Sequence, residues 1–267
     1  MPTTKDFAMN QPTPLPLSPT ALADLLDDYL QVNAFDDYCP NGLQVDAGAP
    51  IARIVTGVTA CEALIDAAIA KDAQAILVHH GYFWKGEAAP LTGMKGTRVR
   101  KLMQHGISLL AYHLPLDAHR VVGNNVQLTR ALGLTLVEPL YPTQKQPIGD
   151  IATLSAPVTP AEFAATITHA LEREPLHIAS GRTTLQRIGI CTGGAQDMIE
   201  QAAKMGCDAY LSGEISERTT HQARELGLDY FACGHHATER GGIQALGEYV
   251  RDTLGVAVTF VDIANPA

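Results

Sequence analysis

Two pairs of adjacent histidines stand where an apolar run of this 267-residue chain meets a glycine. His79-His80 ends the run Ala75-Ile76-Leu77-Val78 and precedes Gly81, and His235-His236 follows Tyr230-Phe231-Ala232-Cys233-Gly234. Cores do not select paired imidazoles at two strand ends, so a shared chemical task is the better reading. Residues after Ala237 have helical periodicity, which puts His235 and Glu239, four apart, on one helix face. There they can hold one ion, or one of them can bridge two. Asp117 closes a third corner, Tyr112-His113-Leu114-Pro115-Leu116-Asp117, again after an apolar run. Imidazole and carboxylate donors suit zinc, iron or manganese. Together His79, His80, Asp117, His235 and Glu239 exceed what one catalytic ion needs once water takes a position. Two divalent metal ions with a bridging carboxylate fit the donor set better. His113, four residues before Asp117, is the candidate catalytic acid or base, or else a partner that orients a ligand. His105, His119, His169, His177 and His221 fall on polar helix faces or in loops and read as packed or exposed side chains. Glu214 and Glu217 read as dipole and capping carboxylates at the start of a helix.

The elements that must position these residues follow from the hydrophobic pattern. Ser18-Pro19 caps a first amphipathic helix carrying Leu22, Leu25, Leu26, Tyr29 and Leu30 on one face. A strand at 54–58, a helix at 60–71, a strand at 75–78, a helix near 97–105 and a strand at 107–111 follow. The aromatic, glycine-bearing stretch 81–90 is too irregular for an element and suits a pocket wall. After a helix at 126–132 come a strand at 150–154, a helix capped at Thr159-Pro160 and a strand at 176–179. The first pattern then recurs. Arg53 to His80 aligns without a gap on Arg187 to Glu214 at a constant offset of 134, pairing Ile54 with Ile188, Ala75 with Ala209 and Leu77 with Leu211. Gly106 to Ala111 likewise matches Gly227 to Ala232. The chain therefore reads as an α/β protein of two related, interlinked α/β/α halves arising from an internal duplication, 18–125 and 126–267, behind a disordered N-terminal extension at 1–17.

A net charge of -9 with no concentration of Lys and Arg argues against nucleic acid as a partner and against membrane surfaces. No apolar run is long enough for a membrane span, and the N-terminus lacks the apolar core of a signal peptide. Five widely spaced cysteines without a C-x-x-C pair suit reduced core residues in a cytoplasmic protein. No G-x-G-x-x-G, Walker loop or G-x-S-x-G is present, which removes support for dinucleotide, P-loop and serine-hydrolase chemistry.

Three motifs in order, His79 to Glu87, Tyr112 to His119 with Gly123-Asn124-Asn125, and Gly234 to Glu239, resemble the Nif-three-like dinuclear metal-centre family, whose members are often labelled type 2 homologues of GTP cyclohydrolase I. The resemblance runs over about residues 18–263. It implies metal ligands at His79, His80, Asp117, His235 and Glu239, and a homohexameric ring with metal pairs facing its interior. It leaves the reaction open. A metal-dependent hydrolase of a nucleotide-like or phosphorylated small molecule is the leading expectation, because two ions with a free coordination position are reactive. Non-catalytic storage, delivery or sensing of metal is the alternative.

Overall fold

The computed structural model describes residues 17–267, so most of the expected N-terminal extension lies outside the described residues. Leu17 lies inside them and forms an antiparallel bridge to Ile51, so it belongs to the fold rather than to the extension. Two mixed sheets carry the chain. The first has the strand order β1-β4-β3-β2-β11, with β1 Gly42–Val45, β2 Arg53–Thr59, β3 Ala75–His80, β4 Ser108–Ala111 and β11 Ala257–Phe260. The second has the order β5-β6-β8-β9-β10-β7, with β5 Thr135–Pro139, β6 Asp150–Val158, β7 Leu176–Ile178, β8 Leu185–Cys191, β9 Ala209–Ser212 and β10 Asp229–Ala232.

Three parallel strands form the centre of each sheet, and their registers repeat. Ile54 faces Ala75 and Ala75 faces Ser108 in one; Ile188 faces Ala209 and Ala209 faces Asp229 in the other. These are the positions paired by the sequence alignment of the two halves. Each central triplet is flanked on one side by an antiparallel edge strand, β1 on β4 and β7 on β10.

Alternation along the strands sends successive side chains to opposite faces, and helices cover both. Ile54, Leu77 and Leu110 pack under α1 (Pro19–Tyr29) and α9 (His235–Leu254), whereas Val55, Ile76 and Leu109 pack under α2 (Glu62–Ala70) and α3 (Gly93–Gln104). In the second half Ile188, Leu211 and Phe231 meet α5 (Asn124–Ala131) and α6 (Pro160–Leu171). Its opposite face, with Tyr210 and Tyr230, meets α7 (Ile199–Lys204) and α8 (Glu217–Leu226). Helix α6 starts in a full capping box, Thr159 with Glu162, behind which Pro160 takes the first turn.

The halves are interlinked by α9. This 20-residue helix begins at the end of β10 in the second sheet, yet its Ile243, Leu246 and Val250 are buried in the core of the first. Strand β11 then pairs in parallel with β2. The chain thus returns after residue 126 to close the sheet it began. The five cysteines are free, four of them buried, as small core residues should be. Among the described residues no helix is long and apolar enough to cross a membrane.

Candidate metal centre

Three strand ends and the first turn of α9 converge on one buried cluster. Strand β3 delivers His79, fully buried, and His80 beside it. Strand β4 runs on through Tyr112 and His113 into the short helix α4 (Leu114–Ala118), which carries Asp117. Strand β10 ends at Ala232, and Gly234, with a φ of +93°, turns the chain into α9. One turn on, His235 and Glu239 share a face, with His235 Nε2 3.3 Å from Glu239 Oε1. The structure thus brings together all five residues the spacing singled out, with His113 beside them, its ring centroid 5.2 Å from that of His79 and 5.8 Å from that of His80.

Glu239 lies at the centre. Its Oε1 is 3.4 Å from His79 Nε2, and its Oε2 is 3.4 Å from His80 Nε2. His79 Nε2 is also 3.5 Å from Asp117 Oδ1. Donor atoms of His79, Asp117 and Glu239 lie within 4.8 Å of one another, and so do those of His80, His235 and Glu239. Either group could hold a metal ion, and Glu239 is common to both.

The far side of each ring is already committed. His79 Nδ1 donates to the Tyr112 carbonyl at 2.8 Å, and Nδ1 of His80 meets the Thr59 hydroxyl at 3.3 Å. His235 Nδ1 pairs with Glu214 at 2.7 Å, and His113 Nδ1 with Asp37 at 2.7 Å. Anchoring one imidazole nitrogen leaves the other as the donor, the arrangement metal-binding histidines adopt. Asp117 is steadied in turn by Asn124 Nδ2 at 2.8 Å and by the Thr192 hydroxyl at 3.3 Å. Within the cluster one buried side-chain atom, Glu239 Oε2, has no hydrogen-bond partner. A carboxylate oxygen left unpartnered among imidazole nitrogens is costly unless a cation takes it, so the donor set fits metal on its own chemistry.

The charge states agree. Burial alone would push His79 down, but Asp117 and Glu239 more than reverse this and hold it up at about 9. Burial likewise opposes the charge on His235, and Glu239 and Glu214 outweigh it, again to about 9. Burial would lift Glu239, yet His79 and His80 hold it well below the ordinary carboxylate range. His80 goes the other way, driven down to about 3 by burial and then by the charge of His79. Burial raises Asp117 against the pull of His79. Without ions, therefore, His79 and His235 carry protons at neutral pH. A metal can take those nitrogens only by displacing them. Loading at neutral pH should release protons, and affinity should fall as the pH is lowered. A dye-monitored titration in weak buffer tests this, and uptake without proton release would count against ions at these nitrogens.

Several partners were not visible in the sequence pattern. Glu214 is one: expected to open a helix, it lies in the turn before α8, because Ser216 makes the cap and Glu217 is the acidic residue of the first turn. Freed from the helix, Glu214 reaches His235. Asp37 is another. From the loop after α1 its Oδ1 takes the His113 ring and its Oδ2 accepts from the Leu114 N–H at 2.9 Å, so one carboxylate both caps α4 and orients His113. Hydrogen bonds from His113 and Asn41 outweigh the effect of burial and keep Asp37 below its ordinary pKa. Of the aromatic stretch after Gly81, Trp84 lines the cavity over the cluster, whereas Tyr82 is buried with its hydroxyl on the Ala60 carbonyl. His119 lies tilted against Tyr29, and His177 stacks flat on Phe231 while pairing with Asp229, both structural roles as expected.

Comparison with known proteins gives the same neighbourhood throughout. The profile of the Duf34/NIF3 (NGG1p interacting factor 3) family matches residues 19–266. A Pseudomonas aeruginosa protein described as a GTP cyclohydrolase 1 type 2 homolog is 51% identical over 248 residues, covering 93% of this chain and 98% of that protein. One from Vibrio cholerae with the same description is 51% identical over 247 residues, covering 92% and 98%. Among solved structures, protein ybgI, described as of unknown function, superposes with a TM-score of 0.90 at 46% identity over 94% of this chain and all of that one. A crystal structure from Thermus thermophilus superposes at 0.85 with 29% identity, covering 94% and 100%.

Proposed function

The chain belongs to the Duf34/NIF3 (NGG1p interacting factor 3) family, and from that premise we propose that it binds two divalent metal ions, zinc, iron or manganese, and hydrolyses a nucleotide-like or phosphorylated small molecule. The observation that carries the reading is Glu239, a buried carboxylate common to two groups of donors drawn from both halves of the chain. His79 and Asp117 would hold one ion and His80 and His235 the other, with Glu239 between them. When bound, divalent ions supply Lewis acidity, lowering the pKa of water and polarising a substrate oxygen.

The chain's own side chains do the rest. Asp37 fixes the Nδ1 face of His113, so Nε2 is the nitrogen available to the cavity that His113 lines. That nitrogen can take a proton from the attacking group and return one to the leaving group. Glu214 and Asn124 hold His235 and Asp117 in place. Free cysteines agree with a cytoplasmic setting. A ring of six chains is part of the proposal, since the exposed apolar side chains Leu91 and Met94 on one segment would gain by being covered; light scattering giving a monomer mass would remove it.

The test is a screen of metal-loaded protein against nucleotides and generic phosphoesters, run beside Asp117→Ala and His113→Ala. His113→Ala should keep its metal and lose turnover by roughly 10²- to 10⁴-fold, the range for one general acid or base. No turnover on any substrate, together with rapid transfer of metal to an apo-protein acceptor, would replace hydrolysis by metal delivery.

A further inference from the structure

The cavity over the cluster holds about 570 Å³, in the range of small-molecule sites. Its floor is the donor cluster, and its walls include Tyr38, Trp84, Leu114, Ile148 and Met198. Among the described residues none of those lining it is Lys or Arg. A chain of phosphates needs such cations or a nest of free backbone N–H groups. The glycine-bearing turn after β8 is the place where a nest would be sought, but three of its N–H donors are spent, too many for a nest. Thr192 N–H donates to Asn125 Oδ1, Gly193 N–H to Thr238 Oγ1 and Ala195 N–H to Ser212 Oγ.

Trp84 gives the cavity wall a flat aromatic surface. Trp84 lies edge-on to His113, with ring centroids 4.9 Å apart, and its indole N–H donates to the Gly81 carbonyl at 3.2 Å. The Glu87 carboxylate accepts from the backbone N–H groups of Phe83 and Trp84 at 3.0 and 3.2 Å, and Lys95 lies 3.4 Å from it. The indole is thus held in place before any ligand arrives, which lowers the ordering cost of stacking on it.

We propose that the substrate is a planar ring compound with a single anionic group. The ring lies against Trp84 and the apolar wall, the anionic group faces the cluster, and a triphosphate chain is refused. The inference rests on the two-ion reading above, because in this cavity the ions would supply the positive charge that meets the anion.

Trp84 is the only tryptophan of the chain, so its fluorescence reports on this wall alone. Zinc-loaded protein is titrated with guanosine monophosphate, guanosine triphosphate and inorganic triphosphate, by fluorescence and by calorimetry, and zinc is assayed on the same samples. The monophosphate should quench Trp84 and bind at least about tenfold more tightly than inorganic triphosphate, and no more weakly than guanosine triphosphate. Trp84→Ala should weaken monophosphate binding by about tenfold at unchanged zinc content, as loss of base stacking does, and Trp84→Phe should restore most of it. Tighter binding of either triphosphate, no binding of any probe, or an unaffected Trp84→Ala would overturn the proposal while zinc is retained. Wild-type protein that holds no zinc would instead refute the two-ion reading, so the two failures are distinct.

Discussion

Replacing Glu239 by alanine is expected, on the proposed two-ion reading, to abolish binding of both ions at once, lowering affinity for each by at least about 100-fold. Loss of a hydrogen-bond partner outside the ligands alone costs 10- to 100-fold, and Glu239 belongs to both donor groups. Metal analysis after dialysis checks this, and two retained ions would contradict it. The same substitution has a second signature in ion-free protein. Glu239, held well below the usual carboxylate range, contributes stability that is lost as the pH falls through its depressed pKa. His79 and His235, raised to about 9, contribute stability that is present below their unfolded pKa and lost as the pH rises through about 9. The pairing is therefore strongest between those limits. Urea denaturation in chelator should find Glu239→Ala weaker by about 1–3 kcal/mol at neutral pH, the cost of leaving buried groups without a partner. The gap should narrow as the pH rises from neutrality toward 9, where the two histidines lose their charge. Glu239→Gln keeps the volume and should lose the metal with less loss of stability.

Gly193→Ala should disable the centre without removing any of its donors. Gly193 has a φ of +67°, and a Cβ there would stand 2.3 Å from Glu239 Oε1 and 3.1 Å from His235 Nε2. No side-chain carbon tolerates the first distance, so the Glu239 carboxylate must swing away from the cluster. The backbone adds about 1–2 kcal/mol of left-handed strain for a residue with a Cβ. Metal content should fall toward that of Glu239→Ala while the circular dichroism of the fold is kept. A Gly193→Ala protein with full metal content would mean that Glu239 need not occupy its present place.

The site was legible where chemistry and local periodicity coincide. His79-His80 could be read because a buried strand rarely ends in two imidazoles, and His235 with Glu239 because four residues make one helical turn. The duplication was legible for the same local reason, and its offset reappears in the register of Ile54 on Ala75 and Ile188 on Ala209. Asp37 and Glu214 were not legible. Asp37 meets His113 across 76 residues and Glu214 meets His235 across 21. A lone carboxylate carries no mark of such a distant partner, and Glu214 stands so close to a helix that capping was the simpler reading. The return of α9 and β11 to the first sheet was hidden too. The short alternating strand Ala257–Phe260 could complete any open edge, and the choice is made by Ile243, Leu246 and Val250 packing on the first core.

The bridging role proposed for Glu239 is tested most directly by anomalous diffraction from crystals of metal-loaded protein, recorded at the absorption edge of the bound metal. Two peaks about 3.5–4 Å apart are predicted, the separation of two-ion sites, one beside His79 and Asp117, the other beside His80 and His235, with the Glu239 carboxylate between them. A single peak, or two peaks that leave Glu239 without a metal neighbour, would contradict the account.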